Sequence, residues 1–171
     1  MAAIADVELT QYLTFCLAEE EYAIGVLRVK EIIEYDTVTR VPSTPPWIRG
    51  VINLRGGVVP VVDLAVKLGL PERPVTRRTC IVIVEIDLDG ERALMGVMAD
   101  AVSQVVDIPP ADIEPAPAFG TRVRVDYLKG MGRAGRKFVL MLDIDRALST
   151  DELLVAAAAG EAPGQESTAQ P

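Results

Sequence analysis

The sequence predicts a mainly β fold built from two similar small barrels on a common aliphatic core. Half of the 171 residues are hydrophobic and only 5% are aromatic, so the core must be aliphatic. The abundance of Val and Ile favours strands. Short alternating runs separated by turn residues fit small barrels better than a parallel βαβ sheet. The chain also repeats itself: Trp47-Ile48-Arg49-Gly50-Val51 is matched by Tyr127-Leu128-Lys129-Gly130-Met131, and Val58 to Leu64 by Phe138 to Ile144, both at one and the same offset. A shared offset without insertions marks a repeated unit, and each half then supplies about five strands.

The elements follow in order. Gln11 to Leu17 alternates, with Leu13, Phe15 and Leu17 on one face, as a half-buried strand does. Glu19-Glu20-Glu21 makes a solvated turn and Tyr22 to Val26 the returning strand. From Val26 to Ile33 helical spacing and strand composition compete, which suits a helical turn feeding a third strand. Pro42 to Pro46 breaks regular structure. Ile48 to Leu54 and Val58 to Val62 close around Asn53-Leu54-Arg55-Gly56, and Pro60, which lacks a donor, is expected at a sheet edge or bulge. Asp63 caps a short helix stopped by Gly69. Residues 71–78 form a polar connector, a hinge between halves. Cys80 to Ile86, Leu94 to Met98 and Val102 to Ile108 are strands, with Asp87 to Gly90 as a hairpin turn; Pro109, Pro110, Pro115 and Pro117 interrupt again. Asp143 and the capping box Ser149 to Glu152 open a C-terminal helix ending in Ala156 to Ala159. The folded domain is expected over 9–154, with an extension at 1–8 and a disordered acidic tail within 155–171.

Charge and composition remove several function classes. With 25 acidic and 17 basic residues the net charge is −8, which disfavours nucleic acid and anionic membranes as partners. No run approaches the roughly 18 apolar residues of a membrane span, and the N-terminus lacks the basic start and apolar stretch of a leader, so a cytoplasmic protein is expected. Cys16 and Cys80 are far apart in strand-like runs and read as buried thiols. The chain has no His, hence no imidazole triad or proton relay, and no Ser stands in G-x-S-x-G. Two distant cysteines cannot hold zinc alone. Gly130 to Gly135 fits G-x-G-x-x-G, but a strand rather than a helix follows it. Asp87/Asp89 lie in a turn and Asp143/Asp145 start a helix, where caps are expected. No catalytic residue, metal or cofactor is therefore expected.

The bend at Asn53 to Gly56 is the most informative stretch: one Arg and two glycines sit between runs built for burial, displaying a side chain where the backbone can take positive φ. Asn-Leu-Arg-Gly followed by Val59-Pro60-Val61-Val62-Asp63-Leu64 resembles the CheW family, the coupling proteins of bacterial chemosensory arrays. Further matching runs are Phe15 with Glu21-Tyr22-Ala23-Ile24, Val29 to Ile33, Val38-Thr39-Arg40-Val41-Pro42, Ile48 to Ile52, Asp100-Ala101-Val102-Ser103, Pro115-Ala116-Pro117 and Tyr127-Leu128-Lys129-Gly130-Met131-Gly132. The resemblance runs from about Leu9 to Leu154. Gly57, where a larger residue often follows the motif, departs from it.

The resemblance implies two five-stranded SH3-like barrels and a scaffold that binds the regulatory domain of a CheA-type histidine kinase and the cytoplasmic helical hairpin of a chemoreceptor. A helix lays its apolar stripe in an aliphatic groove. On the family pattern that groove lies between the barrels, and Val29, Ile32, Ile33, Val102 and Val105 are expected to line it, with the plain alternative that each is core. Arg55 is expected to touch a partner, or to hold the bend through an internal ion pair. Asn53 and Gly56 shape the bend, as Ile48 does, and kinase contact is expected at the barrel ends. The protein is expected to be monomeric alone and recruited to receptor arrays. Other readings stay open: a coupler of a pilus or surface-sensing pathway; part of a CheV-like adaptor or of a CheA regulatory domain, for whose further module the chain to Pro171 leaves no room; and a carboxylate-dependent enzyme on a barrel, which would need a deep polar pocket.

Overall fold

A computed structural model of the chain describes residues 10–88, 90–115 and 127–148. Its strands are β1 (Gln11–Leu17), β2 (Glu20–Gly25), β3 (Val29–Glu34), β4 (Ile48–Leu54), β5 (Gly57–Val62), β6 (Cys80–Leu88), β7 (Glu91–Ala99), β8 (Ala101–Asp107), β9 (Ile113–Glu114), β10 (Leu128–Ala134) and β11 (Lys137–Leu142). Two short helices, α1 (Leu64–Lys67) and α2 (Ile144–Leu148), follow β5 and β11, and Asp63 and Asp143 cap them alike by accepting from Val66 N at 3.4 Å and Arg146 N at 3.3 Å. Gly130 and Gly132 lie within β10 itself rather than in a loop ahead of a strand, and Gly135 lies in the turn that leads to β11. The expected capping box and the helix end at Ala156 to Ala159 lie outside the described residues.

The strands form two sheets, β3-β6-β7-β5-β4 and β8-β1-β2-β11-β10-β9. They are related strand for strand. In each, a hairpin of the sequence repeat, β4–β5 or β10–β11, is joined through one parallel pair, Val61 with Gly96 or Met141 with Ala23, to a second antiparallel hairpin, β6–β7 or β1–β2. Each closes in the same way. The chain leaving β3 pairs Thr39 with Val51 at the far edge of its sheet, and the chain leaving β8 pairs β9 with β10. Backbone crosses backbone closely there. A Cβ on Gly50 would stand 2.2 Å from the Thr39 carbonyl oxygen, and one on Gly130 would stand 2.5 Å from that of Glu114. Glycine is required at both closures, which explains why Arg49-Gly50 and Lys129-Gly130 are a repeated pair.

Sheets and sequence halves do not coincide. Residues 29–99 build the whole five-stranded sheet, while β1 and β2 join β8 to β11 in the other. Among the described residues the chain crosses between sheets twice, at a 3₁₀ turn over Val26–Arg28 and at Asp100. The 71–78 connector, expected as a hinge between halves, instead leads from α1 to β6 of the same five-stranded sheet. Pro60 also departs from expectation, because β5 is interior. Its pairing explains this: Val51 exchanges both backbone hydrogen bonds with Thr39, so Pro60 faces away from β4, and the parallel register with β7 starts only at Val61, so neither neighbour needs a donor from proline.

Among the described residues three aliphatic clusters follow from this plan. The five-stranded barrel is filled by Val59, Val61, Ile81, Ile83 and Met98, and its partner by Ala23, Ile108, Val139 and Met141. The largest cluster lies between the sheets and includes Leu13, Phe15, Leu17, Val82, Val84 and Ile86. It is the shared core that the repeat predicted.

Candidate functional site

The bend and the two strands that leave the crossings carry the candidate site. Leu54 pairs with Gly57, so Arg55 and Gly56 alone make the turn, both at positive φ (51° and 83°), as a type I′ hairpin requires. Asn53 Oδ1 accepts from Gly56 N at 3.1 Å and sets the curvature. Asn53 and Gly56 therefore shape the bend. Arg55 is displayed at its tip with its side chain 74% exposed, and Nη2 lies 2.8 Å from Glu31 Oε1 on β3. The same side chain is thus presented to solvent and tethered by an ion pair.

The five expected groove residues divide between two edge strands. Val29, Ile32 and Ile33 are on β3, and Val102 and Val105 on β8. Cross-strand partners share a face, so the register settles orientation. Val29 and Ile32 lie opposite Val84 and Val82, and Val102 and Val105 lie opposite Phe15 and Leu13, all members of the shared core. These four side chains are on the shared-core face of their sheets. Val29 and Val102 pack half-buried against that core, while Ile32 (42% exposed) and Val105 (51%) stand beyond its rim. Ile33 faces the other way, opposite Ile81, and packs on the interior of its own barrel.

The two strands are copies. Val29-Lys30-Glu31-Ile32-Ile33-Glu34 and Val102-Ser103-Gln104-Val105-Val106-Asp107 correspond position by position. In both, the register slips by one residue just after the first Val, at Lys30 and at Ser103. A β-bulge re-aims the side chains that follow. This second repeat was legible in the sequence and would have separated Ile32 from Ile33. Sequence reading also missed Glu31 as the partner of Arg55. An open depression of about 970 Å³ runs along β3, with Ile32, Tyr35, Ile52 and Asn53 among its lining. Neither Val102 nor Val105 lines it.

Cations brace the surroundings. Lys67 Nζ lies 5.0 Å from the ring centre of Trp47, 4.6 Å from that of Tyr127 and 3.3 Å from the Tyr127 hydroxyl, clasping two residues that the repeat makes equivalent. Asp63 is fully buried, and burial pushes its carboxyl above the usual range against the opposing effects of the Val66 N–H and Arg49, whose Nε lies 3.4 Å from Oδ2. Its role as a helix cap accounts for that position. Among the described residues no group of three or more His, Cys, Asp or Glu could hold a metal, and no helix is long and apolar enough to cross a membrane. Burial raises the Cys80 thiol, which makes it a poor nucleophile.

Comparison with known proteins agrees with this architecture. The profile of the CheW-like domain matches residues 11–152. The Chemotaxis protein CheW of Klebsiella aerogenes is 38% identical over 143 residues, 84% of each chain. That of Bacillus subtilis is 41% identical over 106 residues, 61% of this chain and 65% of its own. Protein FrzA of Myxococcus xanthus is 31% identical over 140 residues, 80% and 84% of the two chains. The crystal structure of the scaffolding protein TtCheW from Thermoanaerobacter tengcongensis superposes with a TM-score of 0.74 at 31% identity, covering 84% of this chain and 90% of that one. The paired barrels, the Asn-Leu-Arg-Gly bend and these matches together place the chain in the CheW family of chemotaxis proteins.

Proposed function

We propose that the protein is a non-enzymatic coupler that joins a CheA-type histidine kinase, through its regulatory domain, to the cytoplasmic helical hairpin of a chemoreceptor. The observation that carries this reading is the duplicated edge strand. Ile32 and Val105 extend a shared aliphatic core into solvent at equivalent positions of two barrels. Large aliphatic side chains exposed at the rim of a core, beside half-buried Val29 and Val102, suit the apolar stripe of a docking helix. Arg55 supplies a charged contact at the nearest bend, linked through Glu31 to the same strand β3. Kinase contact falls to the barrel ends, and the coupler, monomeric alone in the cytoplasm, is recruited to receptor arrays.

The test is a pull-down with the purified chain as bait, probed for a CheA-type kinase and repeated with receptor membranes. Ile32→Asp and Val105→Asp are expected to abolish receptor recovery while retaining the kinase. Equal receptor recovery with both variants and the wild type would remove the groove from the proposal.

Protein FrzA of Myxococcus xanthus, whose name does not mention chemotaxis, is as identical over a similar length as the Helicobacter pylori relative named for it, so a coupler of a pilus or surface-sensing pathway is the alternative. A kinase partner recovered by pull-down would identify the pathway by its own receptors.

A further inference from the structure

The two strands proposed to hold the receptor groove begin where the chain crosses between sheets, and each crossing is held by a two-pronged Arg–Asp pair. At the first, Arg28 immediately precedes Val29 of β3. Its Nη1 donates to Asp145 Oδ2 of α2 at 3.1 Å, its Nη2 donates to Oδ1, and its Nε donates to the Glu85 carbonyl of β6 at 2.9 Å. Asp145 Oδ1 also accepts from Asp87 N at 3.1 Å. The pair thus ties β6 of one sheet to α2, which follows β11 of the other and packs in the shared core.

At the second crossing, Asp100 immediately precedes Ala101 of β8. Arg73 of the connector donates Nε to Oδ2 at 2.6 Å and Nη2 to Oδ1 at 2.7 Å. Asp100 Oδ2 further accepts from Ala18 N at 2.9 Å, and Asp100 N donates to the Cys16 carbonyl at 2.9 Å. Ala18 and Glu19 are non-glycine residues at positive φ (51° and 70°), so Asp100 braces a strained turn of one sheet while Arg73 holds it from the other. Arg73 and Asp100 are largely shielded, at 18% and 26% side-chain exposure, and Arg28 and Asp145 are partly so, at 34% and 39%. The fork of a guanidinium fixes a carboxylate in direction as well as distance, which a lysine cannot do.

We propose that Arg28–Asp145 and Arg73–Asp100 are positioning pairs for receptor recognition: each anchors the root of one groove strand to the opposite sheet and so sets the relative placement of Val29 and Ile32 against Val102 and Val105. This rests on the groove reading above. The pairs touch no partner themselves; they hold two halves of one recognition surface, carried on different sheets, in register. A surface divided in this way loses affinity when its halves move separately, even with every contact residue intact.

The experiment uses the full chain with Arg28→Lys, Arg73→Lys, Ile32→Asp and Val105→Asp. Each is titrated against a receptor cytoplasmic hairpin fragment and, separately, against a kinase regulatory domain, with amide hydrogen exchange followed in the free protein. Each lysine variant is expected to weaken hairpin binding about tenfold. Kinase binding should stay within about twofold of wild type. Exchange should quicken in β3 for Arg28→Lys and in β8 for Arg73→Lys. Hairpin affinity within about twofold of wild type in the lysine variants, with binding lost in the aspartate variants, overturns the positioning role and leaves the groove standing. Equal weakening of hairpin and kinase overturns it too, since that marks general destabilisation. Wild-type hairpin binding by the aspartate variants removes the groove and the positioning role together.

Discussion

The bend at Arg55 and its counterpart at Gly135-Arg136 are the same hairpin built twice with different chemistry. Arg55-Gly56 forms a type I′ turn, capped by Asn53 and tethered to Glu31. Gly135-Arg136, between Ala134 and Lys137, has positive φ at Gly135 only, the II′ pattern, and Arg133 in place of Asn53 pairs instead with Glu114 at 3.3 Å. A few residues away the two regions agree closely: Gly50 and Gly130 both admit a crossing backbone, and Asp63 and Asp143 both cap a helix. At these hairpins the shared residues build the barrels, and the Arg that only one of them displays at positive φ is free to serve recognition. Arg55 even holds a backbone conformation that glycine would adopt more readily, so its presence needs a reason beyond the turn.

The largest expected effect tests the shared part. Gly50→Ala and Gly130→Ala should each cost about 3 kcal/mol or more, read as a fall in midpoint by denaturant unfolding, because the colliding atom is backbone in both. Tolerance of one but not the other would break the equivalence of the two closures.

Next come the unshared residues. Arg55→Gly should leave stability within about 0.5 kcal/mol of wild type, since an exposed ion pair contributes little and glycine accepts the turn. Assembly with kinase and receptor should nevertheless fall about tenfold. Arg136→Ala should alter neither. Asn53→Ala should lose about 1 kcal/mol through the Gly56 N–H, separating the shaping role from the contact role.

Titration distinguishes two carboxylates of opposite sign. The hydrogen bonds from Arg28 hold Asp145 below its usual range, so its contribution is present above the unfolded pKa of about 3.9 and lost as pH falls through the lower folded value. Asp145→Asn should therefore flatten the acid limb of a stability–pH curve. Asp63 is raised by burial, so its contribution is present below the unfolded value and lost as pH rises through the folded one. Asp63→Asn should gain on wild type as pH rises toward neutrality, measured by thermal unfolding from acid to neutral pH.

The smallest effect concerns Tyr22. It is fully buried opposite Phe15, its hydroxyl has no partner among the described residues, and burial pushes it to about 12. The corresponding pair of the other sheet is Val84 with Met95, which has no hydroxyl. Tyr22→Phe should be neutral or stabilising by up to about 1 kcal/mol in the same unfolding assay.

Much of this architecture could be read from the chain because hydrophobic alternation and the internal repeat are local or pairwise signals. The alternation of Leu13, Phe15 and Leu17, and the competing signals over Val26 to Ile33, resolved as a strand and as a 3₁₀ turn feeding β3. A repeat establishes which strands are equivalent but not which copy pairs with which, so the exchange of β1 and β2 into the second sheet was invisible. Pro60 reads as an edge residue because Thr39, which relieves Val51 of its bonds, lies beyond the Pro42 to Pro46 break and leaves no mark on the strand it joins. Ile33 groups with Ile32 in the sequence because a bulge at Lys30 shifts the phase of the strand without changing its composition. The Glu31 tether of Arg55 joins two separate strands, a separation across which a single sequence carries no pairing signal.

The central claim for the bend is that Arg55, which the other hairpin does not share, adds a recognition contact to the duplicated edge strands. Its most direct measurement is kinase activity in a reconstituted mixture of receptor membranes, CheA-type kinase and purified coupler, comparing Arg55→Ala with Arg136→Ala. The account predicts wild-type coupling with Arg136→Ala and a loss of about tenfold or more with Arg55→Ala at unchanged folding. Equal coupling by both variants would contradict it.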